Sequence, residues 1–405
     1  MKVSKLAQNI VGSEIIKIAA EVKQRIEQGH EVFNLTIGDF DPFQFSIPSK
    51  LRDLVIDAYR RNDTNYPEAS GEITLRNAVS SISAIKGLKY SNKEIVIAAG
   101  ARPIIYSIFK TLVDPEDYVL YVTPSWNNNH YTYLTNAQSI VVETTSENYF
   151  MPTADDIRPY IDKVKLIALC SPQNPTGTCF SKKDLLEICQ LVIEENQKRP
   201  DNPVYVMYDQ IYSELAYNNV IHYDPVKLLP AMKDYTVYVD GISKSLSATG
   251  VRVGWAMGPE EIIAKMRAIL THLGAWAPKP EQVATAQFLT TTYYQLFLTE
   301  QRNNIYKRLK GLYLSIYDLK REGLNVDIIQ PQGGIYLSVK IEVAGKTPEE
   351  VRAMLLEKAN IAVIPFYAFG CDENCPWFRI SVGTCKESDL PLIQNSLRNF
   401  LKKFS

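Results

Sequence analysis

The feature that most restricts the fold of this chain is a series of short, almost wholly apolar runs, each ending at a polar or glycine-containing turn. They lie at residues 94–98, 118–122, 140–143, 165–170, 204–208 and 236–239, with helical stretches between them. A strand of this kind has no polar side to turn to water, so its sheet is covered on both faces. Helices from Pro103, at 127–135 and at 182–197 supply the cover. The alternation predicts an α/β fold with a mostly parallel sheet, to which residues 254–258 can add a strand. In such sheets ligands collect outside the carboxyl ends of the strands, so the turns after the runs are where chemistry is expected.

The pattern changes after about residue 285. A long helix at 294–321, strands at 334–339 and 378–382, and helices at 348–359 and 387–402 read as a smaller α+β unit. The expected division is a large domain at 45–285 and a small domain of 1–44 and 286–405. The helix at 13–28 is expected to pack on the small domain.

Composition excludes several classes. With 44 basic and 45 acidic residues the net charge is −1, so there is no basic field to hold nucleic acid or an anionic membrane. No apolar run approaches the length of a membrane span. Residues 1–13 interleave Lys2, Lys5, Gln8 and Asn9 with apolar residues and do not read as a secretory leader, which makes the expected location cytoplasmic. The six cysteines form no CxxC pair, and the four histidines are dispersed. Free thiols and no metal site are expected, Cys371 and Cys375 included.

The run at 236–239 leads to Lys244, which sits among Gly241, Ser243, Ser245 and Ser247. A lysine at the end of a buried strand is desolvated, which lowers its pKa and frees the amine as a nucleophile. Arg252, eight positions on, suits a phosphate, and the serines add hydroxyl donors. An amine that condenses with an aldehyde, beside a phosphate clamp, is what pyridoxal phosphate requires.

Other strand ends offer matching groups, each open to a plainer reading. Residues 171–177, SPQNPTG, make a rigid loop in which Asn174 offers an amide to a ligand or simply builds a turn. Asp209 leaves an apolar strand, which is costly unless it meets a cation such as a protonated pyridine nitrogen or caps a helix. Gly100-Ala101-Arg102-Pro103 opens a helix whose free N–H groups face an anion or only the turn. Trp126 can stack on a ring or fill the core. Arg379 sits inside an apolar strand and requires a carboxylate, either a ligand's or an internal one.

From Gly38 to Arg379, in order and spacing, these segments resemble the class I/II aminotransferases. These are fold-type I pyridoxal-phosphate enzymes, and the bacterial aspartate aminotransferases are the most similar branch. The resemblance implies a mostly parallel seven-stranded sheet between helices plus a smaller α+β domain. It implies that Lys244 carries the cofactor and then acts as general base, that Asp209 keeps the ring cationic, and that Asn174 and Tyr212 share the phenolate oxygen. Ile211 and Trp126 would lie on opposite ring faces. Backbone groups of Ala101 and Arg102, with Ser243 and Arg252, would hold the phosphate, although some relatives carry that hydroxyl where this chain has Gly241. Tyr66, in a Tyr-x-x-x-x-Gly-x-x-x-Leu-Arg segment, would reach the neighbouring subunit's phosphate, which implies a homodimer with shared sites. Arg379, Gly38 and Asn174 would hold the substrate α-carboxylate. Residues 39–42, Asp-Phe-Asp-Pro, depart from the Glu-Pro-Asp of many relatives.

The reaction so implied is ping-pong transfer of an amino group between an L-amino acid and a 2-oxo acid. Arg102 is the candidate reader of a distal carboxylate, favouring aspartate and glutamate, and Lys279 from the partner is a second candidate. Aromatic or aliphatic donors and a carbon–sulfur β-lyase stand as alternatives. A regulator built on the same domain would carry a DNA-binding segment ahead of it, for which the expected site beginning at Gly38 leaves no room.

Overall fold

The computed structural model describes residues 3–10 and 12–404. The reading of residues 1–13 as no leader falls partly on Met1, Lys2 and Val11, outside the described residues. In chain order the strands are β1 (Phe33–Asn34), β2 (Ile95–Ala98), β3 (Tyr118–Thr123), β4 (Gln138–Glu143) and β5 (Val164–Cys170). Then come β6 (Tyr205–Asp209), β7 (Thr236–Gly241), β8 (Gly254–Met257) and β9 (Val326–Ile328). The last four are β10 (Tyr336–Ile341), β11 (Ile361–Ala362), β12 (Ile364–Pro365) and β13 (Trp377–Ser381).

Strands β2 to β8 form one sheet in the order β2-β8-β7-β6-β5-β3-β4. All its pairings are parallel except those of β8, which runs antiparallel to both β7 and β2. Burial on both faces follows the two-residue period of a strand. Ile95 and Ile97 enter one apolar cluster, and Val96 and Ala98 the other. Ile167 and Leu169 likewise part from Leu166 and Ala168. Helix Lys182–Lys198 covers the first face through Leu185 and Ile188. Helices Ala101–Leu112 and Glu260–Leu273 cover the second through Ile104, Ile108, Ile263 and Met266. This is the expected α/β layer.

A four-stranded antiparallel sheet, β12-β13-β10-β9, carries a separate core built on Leu337, Val339, Phe378 and Ile380. Helix Thr292–Arg321 joins the two cores. Its Tyr294 and Leu298 pack with the seven-stranded sheet, and Ile305, Leu309, Leu312 and Ile316 with the four-stranded one. Helix Glu14–Glu27 buries Ile18 and Val22 beside Ile364, Phe366 and Trp377. Arg352 also ion-pairs with Glu21 of that helix at 2.9 Å, so the helix packs on the side expected of it. Among the described residues no helix is long and apolar enough to cross a membrane.

Candidate active site

The carboxyl ends of β2, β3, β5, β6 and β7 share one edge of the large sheet. Strand β8 runs the other way, so its amino end joins that edge: Gly254 pairs with both Gly241 and Ala98. The chain just before β8, including Arg252, therefore reaches the same place as the chain just after β7, including Lys244. The approach is close, since a Cβ on Gly254 would lie 2.7 Å from the Gly100 carbonyl carbon and 2.9 Å from the Ala101 nitrogen.

A cavity of about 640 Å³ opens at this edge. Lys244, Ser243, Asp209, Ile211, Tyr212 and Asn174 line it from the strand ends, together with Ala101, Arg102, Trp126 and Arg252. Gly38 and Arg379 complete it from the side of the smaller sheet. Of the residues singled out from the sequence, Tyr66 and Lys279 lie elsewhere. Tyr66 is 81% exposed and meets the Trp276 ring edge-on at 5.5 Å. Lys279 Nζ donates to Asn65 Oδ1 at 2.8 Å in the same surface hollow.

Burial brings the Lys244 amine down to about 8; the Asp39 carboxylate opposes this, and Arg379, Arg102 and Arg252 add to it. Its Nζ donates to the Gly38 carbonyl at 2.6 Å. Gly38 thus presents its carbonyl to the lysine, a contact beyond the role at the substrate carboxylate expected of it. Ser245 bonds the Gly241 carbonyl and Ser247 accepts from Gln301, so of the three serines only Ser243 lines the cavity. In the short helix Ile242–Ser245 adjacent side chains point in different directions, which sequence proximity to Lys244 cannot show.

Asp209 is pushed up to about 6 by burial; the Ile211 N–H, donating to Oδ1 at 3.1 Å, and the Lys244 charge work against this. A carboxylate held that poorly is suited to a cationic ligand atom. Arg252 donates to the Thr249 and Ala99 carbonyls at 2.7 and 2.8 Å and sits beside the amino end of helix Ala101–Leu112. This arrangement has the chemistry of a phosphate cradle. Asp209, Lys244 and the Arg252 cradle thus fit the pyridine nitrogen, aldehyde and phosphate of pyridoxal phosphate.

Arg379 is 2% exposed. It donates through Nη1 to Asn174 Oδ1 at 3.0 Å and through Nη2 to the Thr36 carbonyl at 2.5 Å, and its buried Nε has no partner. Its guanidinium lies over the Tyr336 and Phe369 rings at 4.6 and 4.9 Å. The alternative of an internal salt bridge is not met: among the described residues no carboxylate pairs with Arg379. Arg102 lies with its guanidinium 4.6 Å from the Trp126 ring centre, also without a carboxylate partner among the described residues.

Sequence reasoning missed Tyr336, whose hydroxyl is 2.8 Å from that of Tyr212 and which lines the cavity from β10. Gly38 carries a signal for it: a Cβ there would stand 2.8 Å from the Tyr336 hydroxyl. Ile15, Ser125 and Asn128 also line the cavity and were not singled out as site residues.

A lysine, a carboxylate and a phosphate cradle gathered at one sheet edge define a cofactor-dependent transferase of the α/β class. The chain matches the family model described as "Aminotransferase class I and II" over residues 30–394, and it belongs to that family. It is an aminotransferase, and its cofactor is pyridoxal phosphate. It is 28% identical over 385 residues to an aspartate aminotransferase of Bacillus sp. (strain YM-2), covering 93% of each chain. The crystal structure of the aspartate aminotransferase from Rhizobium meliloti superposes with a TM-score of 0.90 at 26% identity, covering all of both chains. An aromatic aminotransferase from Pyrococcus horikoshii OT3 gives a TM-score of 0.85 at 26% identity, over 94% of this chain and 99% of that one.

Proposed function

We propose that this aminotransferase takes acidic amino acids, aspartate or glutamate, as donors, and that Arg379 and Arg102 hold their two carboxylates. The observation that carries this is the pair of arginines in one cavity with no carboxylate partner among the described residues. Arg379, buried and held by neutral acceptors, retains most of its affinity for an anion, and Arg102 is the more exposed cation of the same cavity. The aspartate aminotransferases among the relatives support the same donor class.

Pyridoxal phosphate, when bound, supplies an aldehyde carbon and an electron-accepting ring. Asp209 would hold the positive ring nitrogen, with Asn174 and Tyr212 at the phenolate oxygen. Ser243, Arg252 and the N–H groups of Ala101 and Arg102 would hold the phosphate, and Trp126 and Ile211 would bracket the ring. Lys244 Nζ, brought down to about 8, has a neutral fraction near neutral pH and can take the proton from the substrate Cα. Tyr66, exposed and outside its own cavity, would serve a neighbouring subunit's phosphate in a homodimer with shared sites. A two-domain division near residues 45 and 285 is supported by the separate cores of the two sheets. A cytoplasmic location is supported by six free cysteines.

The test adds single amino acids to the holoenzyme and follows cofactor absorbance in a single turnover. Fast conversion with aspartate and glutamate, lost in Arg102→Ala but kept with an uncharged donor, is expected. Conversion only with aromatic or aliphatic donors would move the specificity there and leave Arg102 to the phosphate loop. No conversion with any donor, with pyruvate and ammonia released from cystathionine, would favour a β-lyase.

A further inference from the structure

Cys371 and Cys375 lie outside the machinery described so far. They flank a tight turn in which the Cys375 N–H donates to the Asp372 carbonyl at 3.0 Å and the Asn374 N–H to Asp372 Oδ1 at 2.8 Å. The turn brings both half-buried, free thiols, four residues apart, into the same apolar cluster. The same segment backs the cavity. Trp126 packs on that cluster, the Ser125 N–H donates to the Phe369 carbonyl at 3.0 Å, and the Phe369 ring lies against Arg379. Gly370, at φ 90°, leaves room for Thr123 alone, whose Cγ2 would stand 2.9 Å from an added Cβ.

We propose that Cys371 and Cys375 are a redox-active dithiol site, closed to an intramolecular disulfide by small organic disulfides, and that its state tunes substrate binding through Phe369 and Trp126. The coupling to substrate rests on the reading of Arg379 given above. The neighbouring thiol draws Cys375 down to about 7, and Cys375 with burial pushes Cys371 up. Cys375 is thus the attacking sulfur and Cys371 the resolving one.

In the first step the Cys375 thiolate attacks one sulfur of the small disulfide. Its S–S bond breaks, and one small thiol leaves with the bonding pair. Cys371 then gives up its proton to water and attacks Cys375 Sγ, releasing the second small thiol. Two protein thiols are oxidised to one disulfide, and the small disulfide is reduced to two thiols. Of the other cysteines, Cys179, Cys189 and Cys385 are buried, and burial holds the thiols of all four, Cys170 included, well above their usual range.

The experiment equilibrates the holoenzyme in oxidised and reduced glutathione, alkylates it under denaturing conditions and maps the protected cysteines by mass. Loss of two of the six alkylatable thiols, both on the peptide spanning 371–375, is expected. In Cys371→Ser a single glutathione adduct on Cys375 should replace the disulfide. Retention of all six thiols, or protection mapping to other cysteines, would overturn the site. The oxidised enzyme is then expected to show a KM for its amino-acid donor changed by roughly 5-fold or more, restored by dithiothreitol and absent in Cys371→Ser. A disulfide that leaves KM unchanged would overturn the coupling. The mass readout needs no activity, so failure of the donor assignment and failure of the dithiol site are separately visible.

Discussion

Arg252 and Arg379 line one cavity but belong to different parts of the molecule. Arg252 stands two residues before β8, half-buried and in the left-handed region at φ 61°, held by two backbone carbonyls of the seven-stranded sheet's edge. Arg379 lies inside β13 of the four-stranded sheet, paired in register with Ser338 and Ile364 and buried between aromatic rings. The groups suited to the cofactor flank strands of the first sheet, whereas Arg379 and Tyr336 come from the second. One sheet thus brings the lysine, the carboxylate and Arg252 close together, and the other adds a buried guanidinium without a carboxylate partner among the described residues to the same cavity.

Removing each arginine in turn separates the contributions of the two sheets. Arg379→Ala should lower kcat/KM for the amino-acid donor by roughly 10³-fold, through loss of a buried, charge-assisted contact of about 4 kcal/mol, with cofactor affinity unchanged. Arg379→Lys should rescue little, because a lysine lacks the planar fork. Steady-state kinetics with cofactor titration checks both; a cofactor-affinity loss equal to the kcat/KM loss would erase the distinction. Arg252→Ala should show the converse, with cofactor affinity weaker by roughly 10- to 100-fold and donor KM nearly unchanged at saturating cofactor.

The smallest effect concerns Asp209, the buried carboxyl of the first sheet. Folding lifts the Asp209 carboxyl from 3.8 to about 6, so the native state binds more protons than the unfolded one across that window. Stability without cofactor therefore falls as pH rises from about 4 to 6, and the cost is fully present at neutral pH. Asp209→Asn should then stabilise the cofactor-free protein by ~1–2 kcal/mol at pH 7, a figure reduced for the water that reaches the cavity, and by nothing below pH 4. Urea unfolding at the two pH values measures this, and an equal effect at both would count against it.

The parts of the site legible in the sequence are those written contiguously after a strand. Lys244, Asp209, Asn174 and the 100–103 turn stand out because each lies within five residues of the end of an apolar run. Tyr336 was not, because within β10 it reads as one more apolar strand residue, and only its distance to Tyr212 reveals a hydroxyl pair. Ile15, Ser125 and Asn128 are placed by packing between distant segments. Among the elements, helix Ser49–Arg60 sets Leu51, Leu54, Val55 and Ala58 along one face, a stripe that the sequence reading passed over. Strands β9 and β12, of three and two residues, are too short to show a period. The long helix Thr292–Arg321 was read nearly to its ends, yet its service to two cores is a tertiary fact.

One reversed strand has a larger consequence than its four residues suggest. Because β8 turns back along the edge, Lys244 and Arg252 sit on a single hairpin of sequence, eight positions apart. The pair moves as one unit: a change in loop length between Lys244 and Arg252 would throw both out of step together.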